Sequence, residues 1–122
     1  TINIRLFPGK DILDGGIIYK NDKEVEFSDT IPGTEIRVIK SPGHTPEHAC
    51  LILETSKGRV VVGGDIFWWM NNEKQESDFY KLINKKDEYA TDMDELKKSR
   101  KKILEIADYI IPGHGKLFKV VK

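Results

Sequence analysis

The sequence predicts an α+β fold built around short strands and one principal helix. Three observations carry that expectation. Short segments in which apolar residues alternate or run together recur from residue 2 to residue 62, each broken by glycine, proline or asparagine. One amphipathic segment runs from about Asp92 to Ala107, and two further apolar segments follow it before the chain ends.

Residues 2–7 have strand character, and Pro8-Gly9 ends them. Gly15-Gly16 opens the run IIYK, Asn21-Asp22 supplies a turn, and KEVEF returns with Val25 and Phe27 alternating against charge, which predicts a hairpin. Ile31-Pro32-Gly33 is the next break. Residues 35–40, EIRVIK, alternate apolar with charged, as a strand covered on one face does, and Ser41-Pro42-Gly43 ends that strand. From Ala49 to Leu53 both faces are apolar, and so is the run Val60-Val61-Val62 beyond the turn at Lys57-Gly58. Both are therefore expected to be interior strands, forming a hairpin that ends by delivering Asp65.

Residues 71–90 are polar with Phe79, Tyr80, Leu82 and Ile83 embedded, which reads as a loop carrying one short helix. The long helix follows: Met93, Leu96, Ile103, Leu104 and Ala107 share one face. Asp92 and Glu95 have capping-box spacing, and Asp92, Asp94 and Glu95 precede Lys97, Lys98, Arg100, Lys101 and Lys102, an order that complements the helix dipole. The cluster KKSRKK reads as a solvated helix face, with a phosphate-binding patch as the alternative. Tyr109–Ile111 reads as a short strand, Pro112-Gly113-His114-Gly115 as a tight turn, and Leu117–Val121 as a last strand. There is no internal repeat, low-complexity tract or linker.

A chain of 122 residues makes one domain at most, and one of this size buries roughly 60–70% of its unfolded surface, enough for a real core. Twenty basic and 20 acidic residues leave no net field to draw it to nucleic acid or to an anionic membrane. The lone Cys50 has no internal disulfide partner; flanked by Ala49 and Leu51, it reads as a small core residue without chemistry. Neither a secretory h-region nor a membrane-length apolar run is visible, so a reducing cytoplasm is the expected location. The chain opens at Thr1, either inside a longer polypeptide or after loss of an initiator.

Three residues stand out chemically. His44 follows Pro42-Gly43, Asp65 follows Gly63-Gly64, and His114 has glycine on both sides; each comes after an apolar strand. Singly, each has an ordinary reading: an exposed loop histidine, a turn or cap aspartate, another loop histidine. Together, imidazole, carboxylate and imidazole at strand ends form a donor set suited to zinc, manganese or iron.

The wording of these loops is specific. SPGHTPEH (residues 41–48), VVVGGD (60–65) and IPGHG (111–115) resemble the third, fourth and fifth metal motifs of the metallo-β-lactamase superfamily, and the resemblance covers roughly residues 35–117. It looks closest to the small stand-alone hydrolases of that group. The resemblance implies that His44 completes the histidine set of a first metal, that Asp65 bridges two metals and that His114 belongs to the second. His48 matches an outer-shell position, where it either orients a ligand or the neighbouring loop, or is simply a buried, hydrogen-bonded histidine. The implied fold is the C-terminal half of an αββα sandwich, a mixed sheet with the C-terminal helix packed on one face, so that residues 1–122 are a single partial domain.

One departure is large. The H-x-H-x-D-H motif that supplies both metals in this superfamily is absent, and the chain's three histidines are already used by the later motifs. The rest of the site is therefore expected upstream in the same gene product or on a partner chain. A half-sandwich would also leave a sheet face open for a homodimer. The expected activity is that of a metal-dependent hydrolase using a metal-activated water on an ester, thioester, amide or phosphoester of a small molecule. This chain alone would be inactive and would hold zinc weakly or not at all. The alternative is a non-catalytic half-domain serving dimerisation or protein binding. Phe67, Trp68, Trp69 and Met70 would wall a substrate pocket or cover the core or an interface.

Overall fold

The computed structural model describes residues 29–31 and 33–122 in full and, before them, the backbone of four strands at residues 4–7, 11–14, 17–20 and 23–26. Those strands, β1 (Ile4–Phe7), β2 (Asp11–Asp14), β3 (Ile17–Lys20) and β4 (Lys23–Glu26), pair antiparallel in the order β1-β2-β3-β4. The expected hairpin of IIYK with KEVE is present, running from Ile17↔Glu26 to Lys20↔Lys23. The turns expected at Pro8-Gly9, Gly15-Gly16, Asn21-Asp22 and Pro32 lie outside the described residues, as does Phe27. Strand β2 was not foreseen. Its sequence, DILD, places strand-averse aspartates at both ends of two apolar residues, so pairing on both sides rather than local preference makes it a strand.

The second sheet positions the site. It contains β5 (Arg37–Lys40), β6 (Ala49–Thr55), β7 (Gly58–Trp68), β8 (Tyr109–His114) and β9 (Phe118–Lys119) in sequence order. All neighbours are antiparallel except β7 and β8, which run parallel. A parallel pair needs a crossover, and the chain supplies it with α1 (Phe79–Asn84) and α2 (Met93–Ile106). The result is an α+β arrangement with a mixed sheet, consistent with half of the expected sandwich. No helix among the described residues is long and apolar enough to cross a membrane.

The expected interior hairpin is β6–β7, joined by the two-residue turn Ser56-Lys57. Alternate residues serve opposite faces. Cys50, Ile52, Val61 and Ile110 face the helices and pack with Phe67, Leu96, Ile103 and Leu104 in the main core. Leu51, Leu53 and Val62 face the other way, in a smaller cluster with Ile31, Ile36 and Val38. Full burial of Leu96, Ile103 and Leu104 anchors α2, each worth about 1.5–3 kcal/mol relative to exposure.

Asp92 caps α2 as expected, its carboxylate accepting the Glu95 N–H at 3.1 Å. The reciprocal half of the capping box is absent, because the Asp92 N–H donates instead to Gly43 O at 2.9 Å. Asp78 caps α1 in the same manner, through the Lys81 N–H.

Three expectations need correction. First, KKSRKK is not a uniformly solvated face: Arg100 is 1% exposed and donates to the carbonyls of Ile66, Ile83 and Lys85. Second, β7 does not stop before Asp65 but runs to Trp68, with register shifts between Val62 and Gly64 and between Gly64 and Trp68. Third, Pro112, Gly113 and His114 are the end of β8, not a tight turn, and the last strand is only Phe118–Lys119. Proline is tolerated in β8 because β9 pairs only with Tyr109 and Ile110, leaving the edge at Pro112 without a strand partner on that side.

Candidate metal centre

His44 is placed by the start of α2. Three successive carbonyls of its loop are taken by that region: Pro42 O by Ser99 Oγ at 2.6 Å, Gly43 O by Asp92 N and Thr91 Oγ1, and His44 O by Thr91 N at 3.1 Å. Gly43 makes the approach possible. Its φ is +136°, a conformation that disfavours side chains, and a Cβ there would overlap the Leu96 backbone.

The His44 ring is then held from both sides. Nδ1 lies 2.6 Å from Asp87 Oδ2, whose side chain is fully buried, while Nε2 faces Asp65 Oδ2 at 3.6 Å. Asp87 also accepts the Trp68 indole N–H on Oδ2 at 3.1 Å and the Tyr89 N–H on Oδ1 at 2.9 Å. Burial would raise the Asp87 carboxyl, but the bonds from His44, Trp68 and Tyr89 outweigh it and hold the group below the ordinary carboxylate range. An ionised carboxylate only accepts, so His44 Nδ1–H donates to Asp87 Oδ2, and Nε2 is left facing Asp65.

Asp65 sits in the irregular part of β7, where the register shifts re-aim its side chain. Its backbone is tied to His48: the Asp65 N–H donates to His48 Nε2 at 3.0 Å. The proton of His48 is therefore on Nδ1, which donates to Ser41 Oγ at 2.7 Å. Cys50 donates to Gly63 O at 3.6 Å, leaving its sulfur to accept from the Ser41 hydroxyl at 3.1 Å. One directed chain of hydrogen bonds thus runs from Asp65 N–H to Gly63 O. Burial pushes His48 down to about 4, against the raising effect of Asp65, so the ring is neutral at pH 7. His48 is both things the sequence allowed, a buried hydrogen-bonded histidine and a support for the Asp65 loop.

The far side of Asp65 meets β8. Asp65 Oδ1 rests on Gly113, where any Cβ would overlap it. Its two oxygens therefore point to different places, Oδ2 towards His44 and Oδ1 towards the strand end that carries His114. His114 itself is exposed, and its Nε2 is 2.8 Å from Asn71 Oδ1. His44 and Asp65 are brought together; His114 is not joined to them, and no three His, Cys, Asp or Glu side chains form a metal-holding group among the described residues.

The pair that does meet suits a metal. Two donors each ~2.1 Å from a tetrahedral zinc stand ~3.4 Å apart, close to the 3.6 Å observed between His44 Nε2 and Asp65 Oδ2. Beside His114, residues Trp68, Trp69, Met70, Asn71 and Asn72 line a concavity of about 510 Å³. The aromatic run divides its roles: Phe67 and Trp69 are core, Trp68 supports Asp87, and Met70 is 55% exposed at the concavity.

No protein-family model matches the chain. Curated relatives do. It is 34% identical over 128 residues to metallo-beta-lactamase domain-containing protein 1 of Xenopus laevis, covering 98% of this chain and 51% of that protein. The protein of the same name from Rattus norvegicus is 30% identical, with 98% and 47% covered. The one from Mus musculus is 33% identical over 99 residues, with 80% and 34% covered. The chain is related to the metallo-β-lactamase superfamily. It spans about half the length of the Xenopus laevis and Rattus norvegicus proteins.

Asp87 was missed at the sequence level. It lies in KKDEYA, where an acidic residue is unremarkable, and its partner is 43 residues away.

Proposed function

We propose that this chain supplies one half of the metal centre of a metal-dependent hydrolase of the metallo-β-lactamase superfamily. The observation that carries the reading is the chelating separation of His44 Nε2 and Asp65 Oδ2 on loops whose wording matches the superfamily's metal motifs. Zinc fits the nitrogen and oxygen donors best, with manganese and iron as alternatives. His44 and Asp65 would hold the first ion, and His114, once released from Asn71, the second. A bound metal supplies Lewis acidity and lowers the pKa of water.

The chain's own residues do the positioning. Asp87 holds the His44 ring, His48 holds the backbone of Asp65, and Gly113 leaves room for the Asp65 carboxylate. The divergence of the two Asp65 oxygens suits a carboxylate shared by two ions. The substrate class is a small molecule carrying an ester, thioester, amide or phosphoester, received in the concavity beside His114. The H-x-H-x-D-H ligands would come from the remaining half of the protein, or from a second copy.

In the full-length protein, His44→Ala should lower zinc content and turnover together. Undiminished hydrolysis with full zinc loading rules out the ligand role. Light scattering of this chain separates the two sources of the missing ligands: a non-associating monomer at high concentration removes the second-copy option.

A second reading, a non-catalytic half-domain for dimerisation or protein binding, draws on one observation: no three metal-ligating side chains converge among the described residues. It predicts no zinc retention by the full-length protein and no effect of His44→Ala.

A further inference from the structure

We infer that Asp87 is the positioning residue of His44, accepting the hydrogen bond from Nδ1–H and so fixing the one tautomer and ring orientation in which Nε2 faces Asp65. The inference rests on the reading of His44 as a metal donor and adds the residue that prepares it.

A buried carboxylate is costly unless its oxygens are occupied by donors. Here the two oxygens have separate employment. Oδ1 accepts the Tyr89 N–H, a local turn that an asparagine would make equally well. Oδ2 is committed to His44 Nδ1 and to the Trp68 indole, neither of which the turn requires. The support is itself supported: Arg100 donates to Ile83 O and Lys85 O, fixing the backbone immediately before Asp87. His44 has little other freedom, since its loop carbonyls are bound to Thr91, Asp92 and Ser99. A metal-ligating imidazole commonly donates its second N–H to a carboxylate, which raises the basicity of the coordinating nitrogen, and loss of such a partner costs about 10–100-fold in metal affinity.

The test is Asp87→Asn in the full-length protein, which keeps the Oδ1 turn and removes the charge. Zinc affinity is measured by competition with a chromophoric chelator, and the His44 tautomer by nitrogen NMR on the zinc-free protein. Asp94→Asn, an exposed acid in the first turn of α2, controls for loss of one negative charge. The expected result is a zinc affinity lower by about 10–100-fold, with Asp94→Asn unchanged and His44 no longer confined to the Nδ1–H form. Unchanged affinity and tautomer in Asp87→Asn overturn the inference. If Asp87→Asn fails to fold, the wild-type ring decides: a proton on Nε2 alone overturns it, and one on Nδ1 upholds it. If His44→Ala leaves zinc affinity intact, the ligand reading fails instead, and the tautomer comparison still judges Asp87 separately.

Discussion

Asp65 Oδ1 occupies the space beside Gly113 where any other residue would place its Cβ. The carboxylate can rotate aside, but the backbone cannot, because the same Cβ would stand 2.7 Å from Gly64 O and 2.8 Å from its carbonyl carbon. Gly113→Ala must therefore spread β7 from β8 at the Gly64↔Pro112 pair. It should cost about 1–3 kcal/mol in urea unfolding. An unchanged midpoint would show that the strands yield freely.

His48 makes stability depend on acid. Its folded pKa of about 4 lies below the ordinary 6.5, so between these values the unfolded chain binds a proton that the folded chain refuses. The contribution is complete above pH 6.5 and is lost as pH falls towards 4, by roughly 3 kcal/mol in all. His48→Gln should start from lower stability yet show a flatter profile across this window in denaturant titrations. A wild-type profile that is already flat there would refute the neutral, buried His48.

Arg100 is the buried strut between α2 and the loop that carries Asp87. Arg100→Met leaves the carbonyls of Ile66, Ile83 and Lys85 without their donor and should cost about 3–5 kcal/mol. Arg100→Lys keeps the charge but not the fork, so its unfolding midpoint should fall between those of wild type and Arg100→Met. Equal midpoints for Met and Lys would mean that the retained charge contributes nothing and that forked donation alone governs this position.

What was legible in the sequence was what local periodicity dictates. The β6–β7 hairpin, the α2 stripe and the Asp92 cap follow from residues close in the chain, and strand-glycine-donor wording singled out His44 and Asp65, which the fold brings within 3.6 Å of each other. What was not legible depended on distant partners. Asp87 shows its role only against a histidine 43 residues away, and β2 only against its neighbours. Arg100 was the readable exception. It falls four residues after Leu96 and three before Ile103, on the apolar stripe itself, yet the surrounding lysines disguised it as surface. Pro112-Gly113 looked like a turn because proline usually ends pairing, and only the shortness of β9 reveals why it does not here.

The hydrogen-bond chain behind Asp65 ends in a thiol, and that gives the molecule an internal reporter. Cys50 is fully buried, and burial pushes its thiol up to about 12, so the native protein holds almost no reactive thiolate at pH 7. A thiol reagent gains access only when the core around Cys50 opens, and such an opening would also break the Ser41 link between Cys50 and His48 behind the Asp65 loop. Because no other cysteine exists to confuse the signal, the labelling rate of the unaltered protein is a clock for how often the support beneath the Asp65 loop comes undone.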